Sequence, residues 1–177
     1  MSENSALLVI DVQGKLSTLM HEADAMFAGL RRSIAGAQAL DIPVLVAEQL
    51  PEKLGATSDR ISDLLETQTP ISKSSFSAMG HAPFADAVAS LGRKHLLICG
   101  IETHICVYQT ALDCLVAGYE VSVITDAVGS RLPENKQLAL DNLRAAGATI
   151  VSSEMWLFQM MRSAGHPAFR TIQQLVK

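Results

Sequence analysis

HLLICGIETHIC, residues 95–106, decides how this chain is to be read. Its first part, His95–Gly100, is an aliphatic run of the length of a fully buried strand. Its second part leads into a helix, predicted over Thr103–Ala117 and closed by Gly118. A buried strand that feeds a helix is half of a βαβ unit, and the same alternation extends to both sides. Before it, strands are predicted over Ala6–Val12, Pro43–Ala47 and Thr69–Lys73, where Pro70 suits an edge or a strand start. Helices are predicted over Asp24–Leu40, Asp59–Leu65 and Pro83–Leu91, with a loop over Glu48–Thr57. After it come strands Glu120–Thr125 and Thr149–Ser152, and helices Pro133–Ala146, Glu154–Met161 and Pro167–Val176. Proline at helix starts and glycine past helix ends punctuate the series. Six apolar strands alternating with helices predict a doubly wound, three-layer α/β fold: a six-stranded parallel sheet with helices on both faces. No linker, repeat or low-complexity tract interrupts it, so residues 1–177 are expected to form one domain.

Composition narrows the function classes. Of 177 residues, 49% are hydrophobic and 18% charged, which excludes a disordered chain. With 14 basic against 18 acidic residues, the net charge of −4 offers no basic face for nucleic acid. Three cysteines, Cys99, Cys106 and Cys114, are too few and odd in number for a disulfide scaffold, so a reducing, cytoplasmic setting is expected. The start MSENSALLVIDVQ lacks a basic segment and a cleavage site, and is not expected to be a signal peptide. The longest apolar runs, such as Ala6–Ile10, fall far short of the ~18 residues of a membrane span. The dinucleotide fingerprint, the P-loop and the GxSxG elbow are all missing. The five histidines show no metal-ligand spacing, so no metal and no cofactor are expected.

In doubly wound folds the site lies beyond the carboxyl ends of the strands. That edge collects Asp11, Lys73, Gly100–Cys106 and Thr125–Arg131. Cys106 falls in the first turn of its predicted helix, where free amides and the dipole favour a thiolate. Lowering a thiol pKa by two units takes ~2.7 kcal/mol. One cation at ~4 Å supplies about 4 kcal/mol before costs. Lys73 is the candidate cation, so Cys106 is expected to react well below pH 8. Asp11 is the candidate base: burial raises its pKa toward that of the thiol. Taken singly, each residue has a plainer reading: Cys106 as helix packing, Asp11 as a cap, Lys73 as a surface lysine.

Four segments taken in order resemble the isochorismatase-like cysteine hydrolases, the family of nicotinamidases and N-carbamoylsarcosine amidase. They are LLVIDVQ with Asp11 and Gln13, SKSSFSA with Lys73 and Phe76, GIETHICV with Cys106, and TDAVGSR, residues 125–131. The resemblance covers the whole chain. AEQLPEKLGAT and the C-terminal SSEMWLFQMMRSAGHPAFRTIQQLVK are most similar to the isochorismatase-domain-containing branch. It implies an Asp11–Lys73–Cys106 triad, a cis peptide between Ile101 and Glu102, and an oxyanion hole from the backbone amides of Glu102 and Cys106. It also implies a homo-oligomer, in keeping with the apolar Trp156–Met161 stretch.

Two departures narrow the activity. Nicotinamidases carry a metal-binding DxH after the second strand, where this chain reads AEQLPEKLG. Isochorismatases proper lack the cysteine that is present here. The resemblance therefore implies a metal-independent hydrolase that cleaves a small amide, ureido or related C–N bond through a thioester. The alternatives are a non-catalytic metabolite-binding or assembly protein and an isochorismatase proper. A small molecule is the expected substrate; neither nucleic acid nor membrane is an expected partner.

Other residues keep two readings each. Gln13 contacts the site or caps a loop. Phe76 lines the pocket or joins the core. Glu102 and His104 touch substrate, or Glu102 is only a first-turn helix acid. Asp126 is read as a structural hydrogen-bonding residue at the rim, Trp156 as core or subunit interface, and Cys99 and Cys114 as inert packing.

Overall fold

The computed structural model describes residues 2–177. Its strands are β1 (Ser5–Ile10), β2 (Val44–Gln49), β3 (Ile71–Lys73), β4 (His95–Ile101), β5 (Glu120–Gly129) and β6 (Thr149–Val151). They form one sheet in the order β3-β2-β1-β4-β5-β6, and every pairing is parallel. The chain winds outward from β1 to β3, returns to lay β4 beside β1, and winds outward the other way. The direction reverses between β1 and β4, and this doubly wound topology is the predicted one.

The helices are α1 (Gly14–Thr18), α2 (Ala23–Ala39), α3 (Pro51–Leu54), α4 (Asp59–Ser62), α5 (Ala82–Ser90), α6 (Tyr108–Val116), α7 (Pro133–Ala145), α8 (Ser153–Met161) and α9 (Phe169–Leu175). They cover both faces of the sheet, so all six residues of β1 are buried. Successive strand side chains face opposite ways and join two separate cores. Leu7 and Val9 pack with Phe27, Leu30 and Trp156, under α2 and α8. Leu8 and Ile10 pack with Phe84, Val88, Ala111 and Leu143, under α5, α6 and α7.

Several boundaries differ from expectation, each for a tertiary reason. β2 runs past Ala47 to Gln49, because Gln49 pairs with Lys73 of β3 and its backbone is held by the Gln13 side chain. The segment read as loop from Glu48 therefore begins later, and it contains α3. β5 continues past Thr125 to Gly129, after a shift of register against β4 between Ile98 and Gly100. α1 went unpredicted. α9 starts at Phe169 rather than Pro167, since the Ala168 amide is taken by the His166 ring. The apolar character of Trp156–Met161 is explained within the chain: Trp156, Leu157, Met160 and Met161 are buried core. Met155 and Phe158 are the exposed large apolar residues of that helix. Among the described residues no helix is long and apolar enough to cross a membrane.

The junction of β1 and β4 allows no side chain at Gly100. Its φ is +121°, and a Cβ there would sit 2.0 Å from the Ile10 carbonyl oxygen. This close approach brings the end of β4 against the residue just before Asp11. Gly100→Ala is expected to lower unfolding stability by about 3 kcal/mol or more, from left-handed strain plus a backbone clash. Urea unfolding followed by circular dichroism checks it.

Candidate active site

β1 ends at Ile10, and Asp11 turns out of the strand with φ of 52°, a left-handed conformation that Asp tolerates better than most residues. Its amide still donates to the Ala47 carbonyl on β2 (3.1 Å), which keeps the turn against the sheet edge. Lys73 is the last residue of β3, two strands away. The two side chains meet: Lys73 Nζ lies 2.7 Å from Asp11 Oδ2, with both side chains at most 5% exposed. The ammonium also donates to Gln49 Oε1 (2.8 Å) and to the carbonyls of Ser75 (3.0 Å) and Phe76 (3.1 Å).

Cys106 arrives from the other side of the switch point. The Ile101–Glu102 peptide is cis. Residues Thr103–Val107 then form a single π-helical turn, in place of the first α-helical turn expected here, and α6 begins only at Tyr108. The Glu102 carbonyl closes this turn by accepting from the amides of Ile105 (3.0 Å) and Val107 (3.3 Å). Such turns recur at functional sites because they re-aim one side chain. Cys106 is buried, close enough to Asp11 and Lys73 for the charges of both to act on its thiol. Asp11 Oδ1 is buried and has no hydrogen-bond partner.

Two opposing effects set the protonation of this pair. Burial raises the Asp11 carboxyl above its ordinary range, against the lowering pull of the Lys73 charge and hydrogen bond. The Cys106 thiol is pushed up to about 12, first by burial and then by the Asp11 charge, with Lys73 pulling it down. The expectation for Cys106 is thus corrected in direction. Lys73 does favour the thiolate, but desolvation and the neighbouring carboxylate outweigh it. Both effects favour the neutral thiol.

Of the remaining predicted residues, Gln13 is fully buried and clamps the following loop. Its Nε2 donates to the carbonyls of Gln49 (3.1 Å) and Gly55 (2.7 Å), and its Oε1 accepts from the Gln49 amide (2.6 Å). Phe76 brings its carbonyl to Lys73 while the residue is 56% exposed, so it is not core. The Glu102 carboxylate is buried and engaged by Arg131, through the guanidinium (3.0 Å) and the Arg131 amide (3.0 Å). The His104 ring meets Ser130 Oγ (2.9 Å) and Asn135 (3.4 Å). Glu102 and His104 thus tie the turn to Ser130 and Arg131 after β5 and to Asn135 of α7. Asp126 binds Arg32 and Ser153, joining β5 to α2 and α8, rather than standing at the rim of this site. Cys99 and Cys114 are fully buried, and burial raises both thiols. Among the described residues no three His, Cys, Asp or Glu side chains gather as a metal cluster.

The isochorismatase domain pattern matches residues 5–155, a span that includes Asp11, Lys73 and Cys106. The chain belongs to the isochorismatase family. Family relatives include a secreted isochorismatase effector of Phytophthora sojae, 37% identical over 98% of this chain and 85% of its own length. The mouse isochorismatase domain-containing protein 2A is 35% identical over 99% of this chain and 84% of its own. Among solved structures, a Caenorhabditis elegans protein described as MAR1 ribonuclease superposes with a TM-score of 0.92, at 34% identity over 99% of this chain and 90% of that one. Members of this family are usually hydrolases.

Two residues at this edge escape sequence reasoning, Gln49 and Glu48. Both are buried in the end of β2, where Glu48 accepts from the Thr57 amide and hydroxyl (2.6 Å each). The same end-of-strand rule that selected Asp11 would have selected Gln49, had the strand not been cut at Ala47.

The pH dependence of Cys106 follows from its raised pKa. Below the midpoint the thiolate fraction grows about tenfold per pH unit. Alkylation by iodoacetamide, read by peptide mass spectrometry, is expected to accelerate about tenfold from pH 7 to 8 and again from 8 to 9. A plateau below pH 8 would contradict the burial argument.

Proposed function

We propose that the chain is a metal-independent cysteine hydrolase that cleaves a small amide, ureido or related C–N bond. The observation that carries this reading is convergence. Asp11, Lys73 and Cys106 are set 62 and 33 residues apart, yet the Lys73 ammonium lies 2.7 Å from the buried Asp11 carboxylate and the charges of both act on the buried Cys106 thiol.

In this reading Asp11 accepts the Cys106 proton as the sulfur attacks the carbonyl carbon. The C–S bond forms and the carbonyl electrons move to oxygen, which receives the backbone amides of Glu102 and Cys106. Collapse breaks the C–N bond, and the leaving nitrogen takes the proton from Asp11. Water then gives a proton to Asp11 and adds to the thioester. Release of the acid breaks the C–S bond, and the thiolate recovers its proton from Asp11. Lys73 stays an ammonium throughout and fixes Asp11 in place.

The isochorismatase name of the Phytophthora relative favours a second reading, vinyl-ether hydrolysis, which needs no cysteine nucleophile. The ribonuclease description of the worm neighbour finds less support, because a chain of net charge −4 lacks the basic character that phosphate backbones attract. Self-association belongs to the same proposal, with exposed Met155 and Phe158 as candidate contacts.

A panel of primary amides and ureido acids, with isochorismate alongside, tests the reading. The expected result is ammonia or amine release that falls about 10³-fold or more in Cys106→Ala, with an acid-quenched, hydroxylamine-sensitive acyl adduct on the Cys106 peptide. Isochorismate cleavage that persists in Cys106→Ala would favour the second reading. C–N turnover unchanged by Cys106→Ala would overturn the first.

A further inference from the structure

Lys73 is held by more than its carboxylate. Gln49 Oε1 lies 2.8 Å from Nζ, nearer than either backbone acceptor. The other end of the same amide, Nε2, donates to the Ser74 carbonyl (2.8 Å). These two neighbours allow one orientation of the amide. Rotated by 180°, the NH₂ would face an ammonium and the oxygen would face a carbonyl. The backbone of Gln49 is equally constrained. Its N–H and C=O are both bound by the buried Gln13 side chain, at 2.6 and 3.1 Å. A continuous chain of hydrogen bonds thus runs from Gln13 through Gln49 and Lys73 to Asp11.

The chemistry of the residue suits this place. The three N–H donors of the ammonium are shared among four acceptors, and of these only Asp11 and Gln49 are side chains. A carboxylate at position 49 would supply an acceptor, but its charge would compete with Asp11 for Lys73 and disfavour a thiolate nearby. A hydrocarbon would supply no acceptor. A neutral amide supplies the oxygen without the charge, and its own N–H group has a separate partner in Ser74.

We propose that Gln49 is a positioning residue for the hydrolase site: its amide, locked by Gln13 and Ser74, holds the Lys73 ammonium on the Asp11 carboxylate, and so sets how readily Cys106 ionises. Gln49 touches neither the thiol nor a substrate carbonyl in this role. It acts through Lys73. The proposal rests on the Asp11–Lys73–Cys106 reading above.

The test is a double-mutant cycle read by iodoacetamide alkylation of Cys106 at pH 9 on the full-length protein, with melting temperature measured alongside. Lys73→Gln removes the charge that favours the thiolate while keeping a donor for Asp11, and is expected to slow alkylation. Gln49→Met, close in volume and without an acceptor, is expected to slow it about tenfold, a shift of about one pH unit. Gln49→Asn keeps an amide that is one methylene too short to reach Nζ, and is expected to act in the same direction should Gln49→Met fail to fold. The decisive result is non-additivity: adding Gln49→Met, or Gln49→Asn, to Lys73→Gln should slow alkylation no further than Lys73→Gln alone. A purely structural role would lower the melting temperature with an unchanged rate, or give additive effects, and would overturn the proposal. A Lys73→Gln variant that alkylates at the wild-type rate would instead refute the triad reading.

Discussion

A lysine side chain with no exposed surface depends on acceptors for every proton it carries. Desolvation of an ammonium costs several kcal/mol, and neither a lone carboxylate nor a lone carbonyl offsets it. Lys73 meets the requirement with acceptors from three successive strand ends: Asp11 after β1, Gln49 closing β2, and the carbonyls of Ser75 and Phe76 after β3. Those ends must therefore arrive together. Gln49 pairs with Lys73 across β2 and β3, and the Asp11 amide binds Ala47 across β1 and β2. A slip of β2 by one residue would turn Gln49 to the other face and take its oxygen away from the ammonium. The buried ion thus ties sheet register to site geometry.

The same demand explains the local irregularities. Asp11 leaves the strand in a left-handed conformation, and Gly100 beside it lacks a Cβ because the Ile10 backbone fills that space. Both sit where the winding direction reverses, the one place where two adjacent strands run on to opposite sides of the sheet. Asp11 follows β1 on one side of that gap, and the turn that carries Cys106 follows β4 on the other.

Much of this was legible in one sequence. Aliphatic runs with proline and glycine punctuation yield the element order, and the parallel sheet follows from it. The strand-end rule alone brings Asp11, Lys73 and Cys106 to one edge. What was not legible is polar burial. Glu48 and Gln49 read as loop because strand periodicity assigns buried positions to apolar residues, whereas here Thr57, Gln13, Lys73 and Ser74 satisfy them from distant parts of the chain. The π-helical turn at Thr103–Val107 was hidden for a similar reason, since its residues have the spacing of an ordinary helix start. The direction of the Cys106 shift was hidden too: a sequence names the nearby cation but not the desolvation that outweighs it.

That upward shift fits the proposed chemistry. The Cys106 thiol and the Asp11 carboxyl are each raised first by burial, and each is sensitive to the other. Their proton affinities belong to the pair rather than to either group. Passing a proton from sulfur to Asp11 removes the carboxylate charge that opposed the thiolate and leaves the total charge unchanged. Lys73 faces one anion before the transfer and one after it. No second buried charge is created, so the large desolvation cost that keeps free thiolate scarce does not apply in full to the internal exchange. A buried cysteine with a raised pKa can thus serve as a nucleophile when its proton acceptor is equally buried and a fixed ammonium balances whichever of the two is ionised.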